Sequence, residues 1–252
     1  MKNIYFLGDS LTEGSLSYNW VYNFNVPCNL FNVINKGING LTVCTLYYKL
    51  VNNMVFNNPD YVVLMIGGND IIGCTNEEYG NFYMNLYPSI QVEAPSLKNY
   101  ERDLTNIIDK LDKELPITSH LIVLSTPPIG EGGPESIQWK LGDNFNEICK
   151  KIVNNSSNRV IYKDLFNEVI IDMDKYIDKN YTPFKLSIRL MYIAWFLSYF
   201  FTWETVRWII GFKYTTDGVH YCKEFGMICD KLVLEAIVSI EENTKTNLKE
   251  IQ

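Results

Sequence analysis

Five short apolar runs, rich in Val, Ile and aromatic residues, recur along the chain at 4–7, 31–34, 61–66, 121–125 and 160–162. Four of them are near-continuously apolar rather than alternating, the pattern of strands covered on both faces of a parallel sheet. The segments between them carry helical spacing. Over 97–115, Leu104, Ile107, Ile108 and Leu111 fall on one stripe, and 145–153 repeats the pattern with Ile148, Ile152 and Val153. A last helix is expected after His220, running to about 242, with Phe225, Ile228, Leu232, Leu234, Ile237 and Val238 as its apolar face. Strands alternating with helices predict an α/β fold: a three-layer α/β/α sandwich on a five-stranded parallel sheet. Right-handed crossovers leave few strand orders for such a sheet.

With 252 residues, 47% of them hydrophobic, and no repeat or low-complexity linker, the chain reads as one domain over 1–252. The segment 168–212 departs from the alternation. It contains the block 190–203, crowded with Tyr192, Trp195, Phe196, Tyr199, Phe200, Phe201 and Trp203. Its uncharged run falls short of the ~20 residues that span a bilayer, so no transmembrane helix is expected. A net charge of −7 without any basic run sets nucleic-acid partners aside. The six cysteines, Cys28, Cys44, Cys74, Cys149, Cys222 and Cys229, form no CxxC pair and read as reduced thiols. With only His120 and His220, a Cys/His zinc site is not expected. The first apolar run is too short for a signal peptide, and the expected location is the cytoplasm.

Four motifs sit where chemistry is expected, at strand ends or before the last helix. Gly8-Asp9-Ser10-Leu11 closes the first run, at the sheet edge where open α/β folds bind ligands. Ser10 there is either an exposed nucleophile or a plain helix cap. Asn35-Lys36-Gly37-Ile38-Asn39-Gly40 follows the second run. Gly40 could offer its N–H to a developing oxyanion, or the stretch is an ordinary turn. Gly67-Gly68-Asn69-Asp70 ends the third run, with the Asn69 amide as a further donor, or the stretch is an Asx turn with Asp70 as helix cap. Asp217-Gly218-Val219-His220 spaces a carboxylate three residues from an imidazole, close enough to fix its tautomer. His120 has no such acid beside it and reads as packing or surface.

Taken in order, these four segments resemble the conserved blocks of the SGNH (GDSL) hydrolase family, over nearly the whole chain. Ser125-Thr126-Pro127-Pro128 and Asp164-Leu165 look like that family's fourth and fifth strand ends. The resemblance implies a flavodoxin-like strand order, no metal or organic cofactor, and ester hydrolysis through an acyl-serine. Carried over residue by residue, Ser10 looks like the nucleophile, His220 the base and Asp217 the orienting acid. Ser10, Gly40 and Asn69 look like the oxyanion donors. Two departures stand out. Tyr221 follows the histidine where the family usually has proline, which puts the rigidity of that loop in doubt, and the chain is longer than typical members after the third block (79–96) and before Asp217.

The aromatic block is expected to act as a lid or apolar wall over Ser10, or to pack as a helical hairpin or dimer interface. A lid would favour apolar acyl or lysophospholipid-like esters and peripheral membrane contact through 184–212. Carbohydrate O-acetyl esters, acyl transfer and a non-catalytic binding module are the alternatives.

Overall fold

The computed structural model describes residues 1–27, 29–181 and 187–250 of the chain. Cys28 and residues 182–186 of the aromatic-rich segment lie outside the described residues. Strands β1 (Lys2–Gly8), β2 (Phe31–Asn35), β3 (Tyr61–Met65), β4 (His120–Leu124) and β5 (Val160–Lys163) occupy the five apolar runs. They form one all-parallel sheet in the order β2-β1-β3-β4-β5, the flavodoxin-like arrangement expected. The helices are α1 (Ser10–Glu13), α2 (Val43–Lys49), α3 (Gly68–Gly73), α4 (Glu77–Leu86) and α5 (Leu97–Glu114) in the first half. The second half supplies α6 (Ile137–Asn154), α7 (Leu165–Ile177), α8 (Ile188–Ser198), α9 (Trp203–Ile210) and α10 (Lys223–Glu250).

Strand side chains alternate between faces, and in the central strands β1, β3 and β4 both faces are buried, which explains their unbroken apolar runs. Tyr5, Leu7, Val62, Leu64, Leu121 and Val123 pack on one side with Leu46 of α2, Ile107, Ile108 and Leu111 of α5 and Phe145 of α6. Ile4, Phe6, Val63, Met65, Ile122 and Leu124 pack on the other with Trp20, Val169 and Met173 of α7 and Phe225, Leu232 and Val233 of α10. Three layers result.

The helices depart from the expected limits in informative ways. α6 begins at Ile137, eight residues before the periodic stretch, because the Ser136 hydroxyl accepts the Trp139 N–H and caps it. α10 runs on to Glu250. The segment 168–212 is not uniform: residues through Ile177 belong to α7, an ordinary crossover helix that opens under an Asp164 cap and buries Val169 and Met173 against the sheet. Two helices follow, α8 and α9, whose apolar residues mostly face outward. Among the described residues no helix is long and apolar enough to cross a membrane.

Candidate active site

The carboxyl ends of β1, β2 and β3 lie side by side, and each delivers one motif to the same edge of the sheet. β1 ends at Gly8, where a Cβ would stand 2.2 Å from Thr12 Oγ1 and 2.3 Å from the Met65 carbonyl of β3; only glycine lets the strand turn here. Asp9 caps α1 by accepting the Leu11 N–H at 3.0 Å. Ser10 therefore opens a helix, where backbone N–H groups have no intrahelical acceptor, and its side chain is 6% exposed. After β2, Gly40 adopts φ +75, a left-handed conformation that glycine takes without strain. A Cβ there would come 2.6 Å from Leu86 Cδ2, so the end of α4 lies directly over this glycine.

The third motif opens α3. Its Asn69 Nδ2 donates to the Leu41 carbonyl at 2.8 Å, next to Gly40, and its Oδ1 accepts the Tyr83 hydroxyl of α4 at 2.7 Å. Asp70 does not cap its own helix. Its carboxylate accepts the Val43 N–H at 2.9 Å and so ties the third loop to the start of α2. Burial pushes Asp70 up to about 8 and Asp9 up to about 6, opposed in each case by the backbone N–H it accepts.

The fourth motif reaches Ser10 from 210 residues along the chain. His220 Nε2 lies 2.9 Å from Ser10 Oγ, and His220 Nδ1 lies 2.7 Å from Asp217 Oδ2. The other Asp217 oxygen accepts the Val219 and His220 N–H groups at 2.9 and 2.8 Å, which closes the turn tightly. Burial works against charge on His220, but the Asp217 charge and hydrogen bond, with Asp9 behind them, hold its pKa above the ordinary histidine value. Asp217, likewise opposed by burial, is held below the usual carboxylate range by the His220 charge and by the hydrogen bonds it accepts. An ionised Asp217 accepts the Nδ1 proton, which leaves Nε2 to accept from the Ser10 hydroxyl. The five sequence-derived candidates thus divide into a bonded line, Ser10–His220–Asp217, and two neighbours, Gly40 and Asn69, whose segments are tied together through the Leu41 carbonyl, Asp70 and Tyr83.

Tyr221, in the place of the expected proline, supplies rigidity of its own. It is buried, donates its hydroxyl to the Pro128 carbonyl, and stacks on Phe225 with ring centroids 4.5 Å apart. A backbone bond from Thr216 N to the His220 carbonyl at 2.7 Å closes the loop. Buried Glu131, from the loop after β4, accepts the Tyr214 and Thr215 N–H groups, both at 2.7 Å, and the Thr215 hydroxyl at 3.0 Å. Sequence reasoning missed Tyr83 and Glu131. The one signal for Glu131 is an acid set among glycines, Gly130-Glu131-Gly132-Gly133, and Tyr83 gave none. His120 opens β4 beside Tyr61, at the opposite end of the strands from Ser10. Among the described residues no three His, Cys, Asp or Glu side chains gather as a metal ion would require, and Cys44, Cys74, Cys149, Cys222 and Cys229 are free thiols.

A model of the GDSL-like Lipase/Acylhydrolase family matches residues 6–184. An acetylxylan esterase of Geobacillus stearothermophilus is 27% identical over 139 residues, 55% of this chain and 57% of that protein. The chain spans just over half the length of this curated relative. Among solved structures, a variant of an acetylxylan esterase from Geobacillus stearothermophilus superposes with TM-score 0.61 at 18% identity, covering 93% of each chain. An alpha/beta hydrolase enzyme from the metagenome of Lake Arreo, Spain, gives TM-score 0.58 at 15% identity over 93% of this chain and 94% of its own. At such identities the likeness is one of fold.

Proposed function

The chain belongs to the GDSL-like lipase/acylhydrolase family, and on that premise we propose that it hydrolyses carboxylic esters through an acyl-serine intermediate, with one domain carrying the whole site. The observation that carries this reading is the unbroken line from Ser10 Oγ through both nitrogens of His220 to Asp217, at 2.9 and 2.7 Å. Ser10 Oγ attacks the ester carbonyl carbon while His220 Nε2 takes the hydroxyl proton. The carbonyl oxygen becomes an oxyanion, met by the N–H groups of Ser10 and Gly40 and by the Asn69 amide. Collapse breaks the bond to the alcohol oxygen, which leaves with the proton from His220. Water, deprotonated by the same nitrogen, then releases the carboxylic acid and restores Ser10. Asp217 holds the tautomer throughout and offsets the imidazolium charge. No step calls for a cofactor. Release of p-nitrophenol from p-nitrophenyl acetate tests the proposal: wild type is expected to turn over and Ser10→Ala to stay at background. Turnover retained by Ser10→Ala would sink it.

On the acyl side, Leu86 crowds the oxyanion loop at Gly40 and Ser10 is nearly buried. Both favour short acyl groups, and the curated relative carries the name acetylxylan esterase. Carbohydrate O-acetyl esters are accordingly the substrate class we favour, ahead of transfer to an acceptor other than water.

A second reading has its own observation. Tyr192, Phe200 and Trp208 on and beside α8 and α9 are 67%, 68% and 78% exposed, with Phe196 and Tyr199 also outside. Apolar patches of this kind mark a partner surface, and Trp and Tyr favour the membrane–water boundary. Arg189 and Lys213 flank the patch against Glu204, while Arg207 is paired with Glu224, in a chain of net charge −7. This local charge favours an anionic lipid surface over a second copy, with lysophospholipid-like esters as substrates met there. Co-sedimentation with vesicles containing phosphatidylserine supports the reading; a homodimer in solution, lost when Trp208 and Phe200 become Ser, overturns it. A cytoplasmic location is supported by the free thiols.

A further inference from the structure

The oxyanion hole has a support that the conserved blocks do not supply. An amide such as that of Asn69 can face either way about its last torsion, and only one orientation turns N–H groups toward a developing oxyanion. Two contacts settle the choice. The Leu41 carbonyl can only accept, and it takes one Nδ2 proton at 2.8 Å. The Tyr83 hydroxyl donates to Oδ1 at 2.7 Å. A reversed amide would set two oxygens face to face at Leu41. With one Nδ2 proton on Leu41, the other points away from that carbonyl in a direction fixed by the amide plane.

The donor is built to stay a donor. Tyr83 is buried in α4. Burial, and then the charges of Asp9 and Asp70, push its phenol above the ordinary tyrosine range, so the hydroxyl keeps its proton across the working pH of a histidine base. Donation into Oδ1 also polarises the amide and strengthens its N–H groups as donors. Tyr83 lies in the stretch 79–96, the part that follows the third block at more than usual length. The helix that carries it also carries Leu86, which lies over Gly40.

From this geometry we propose that Tyr83 is a positioning residue, holding the Asn69 amide with an N–H toward the substrate oxyanion. The inference rests on the acyl-serine reading above. Tyr83→Phe removes one oxygen and keeps the ring. Losing an oxyanion donor outright costs about 100- to 1000-fold in kcat, and loosening one should cost a fraction of that, about 10-fold, at nearly constant KM. In an Asn69→Ala background the same substitution should cost less than about 2-fold, because the group that Tyr83 orients is gone. Restoring a donor with p-aminophenylalanine at position 83 should recover most of the loss, a response that a packing role would not give. A kcat for Tyr83→Phe within about 2-fold of wild type, an undiminished loss in the Asn69→Ala background, or no recovery with the amine would overturn the proposal. If Tyr83→Phe does not fold, the p-aminophenylalanine protein and its Asn69→Ala double variant carry the test, and poor activity of the folded amine variant alone overturns it. Wild-type turnover of p-nitrophenyl acetate that depends on Ser10 keeps the ester-hydrolase reading intact whichever way Tyr83 falls. A wild type without turnover, and with Ser10 unlabelled by a fluorophosphonate, would remove both.

Discussion

The two segments that interrupt the strand–helix alternation behave as opposites. α4 and the loop after it turn inward onto the motif loops. Tyr83 bonds Asn69, the Tyr87 hydroxyl reaches the Asn39 carbonyl at 3.4 Å, and Gln91 takes the Thr42 hydroxyl. α8 and α9 instead hold to the body by a narrow footing and turn their rings outward. Ala194 and Val206 are buried, and Arg207 pairs with Glu224 at 3.3 Å while its guanidinium lies over Tyr176. Aromatic density in the sequence therefore marks a surface, whereas the segment tied to the proposed oxyanion donors is the less conspicuous one. Proximity in sequence misleads as well: the hairpin runs up to within a few residues of Asp217, yet most of its large side chains stay at the surface, and it is the Phe212 ring beyond α9 that lies beside Gly218.

If this contrast is right, substitutions should grade from the bonded line outward. Asp217→Asn sets the upper limit. It leaves the hydrogen-bond geometry but favours the wrong tautomer, and a loss of about 10,000-fold in kcat is expected. The same variant tests the pH behaviour. In wild type His220 is held above the ordinary histidine pKa of about 6.5. The proposed mechanism needs the neutral ring, so activity should fall on acidification with a midpoint above that value. Without the Asp217 charge the midpoint of the residual activity should move to lower pH; a midpoint that stays put would break the assignment.

Leu86→Ala probes α4 where it overlies Gly40. Clearing that methyl should raise kcat/KM for p-nitrophenyl butyrate relative to the acetate by about 5- to 10-fold, on the scale of a methylene or two in an apolar pocket. An unchanged ratio would mean that α4 supports the donors without shaping the acyl site. The smallest effect is expected from the hairpin: replacing Tyr199, Phe200 and Trp208 by Ser should leave turnover of soluble p-nitrophenyl acetate within about 2-fold, since surface changes away from the site rarely matter. A larger loss would make the hairpin a wall of the site after all and erase the contrast.

Much of the architecture was legible because strand burial on two faces writes itself into unbroken apolar runs, and all five strands lie where those runs fall. The Ser10, Asp217 and His220 grouping was legible because short-range geometry constrains each motif, and the parallel sheet brings the motif-bearing ends together. Tyr83 and Glu131 were not. Each acts through a partner far away in sequence, Asn69 at 14 residues and Thr215 at 84, and a lone tyrosine or acid carries no local pattern. α7 was obscured for another reason. Its apolar residues run straight into the aromatic block, so the crossover helix and the hairpin read as one insertion.

The Glu131 carboxylate, holding the chain just ahead of Asp217, makes the histidine turn dependent on a loop from the middle of the chain. Residues 213–215 have that acceptor only when the loop beyond β4 is in place, so the turn that presents the imidazole to the serine lacks this support until then. Half-formed or locally opened molecules would therefore be inert toward esters, so reactivity toward a fluorophosphonate should report complete assembly of the chain rather than the mere presence of the N-terminal strand and its serine.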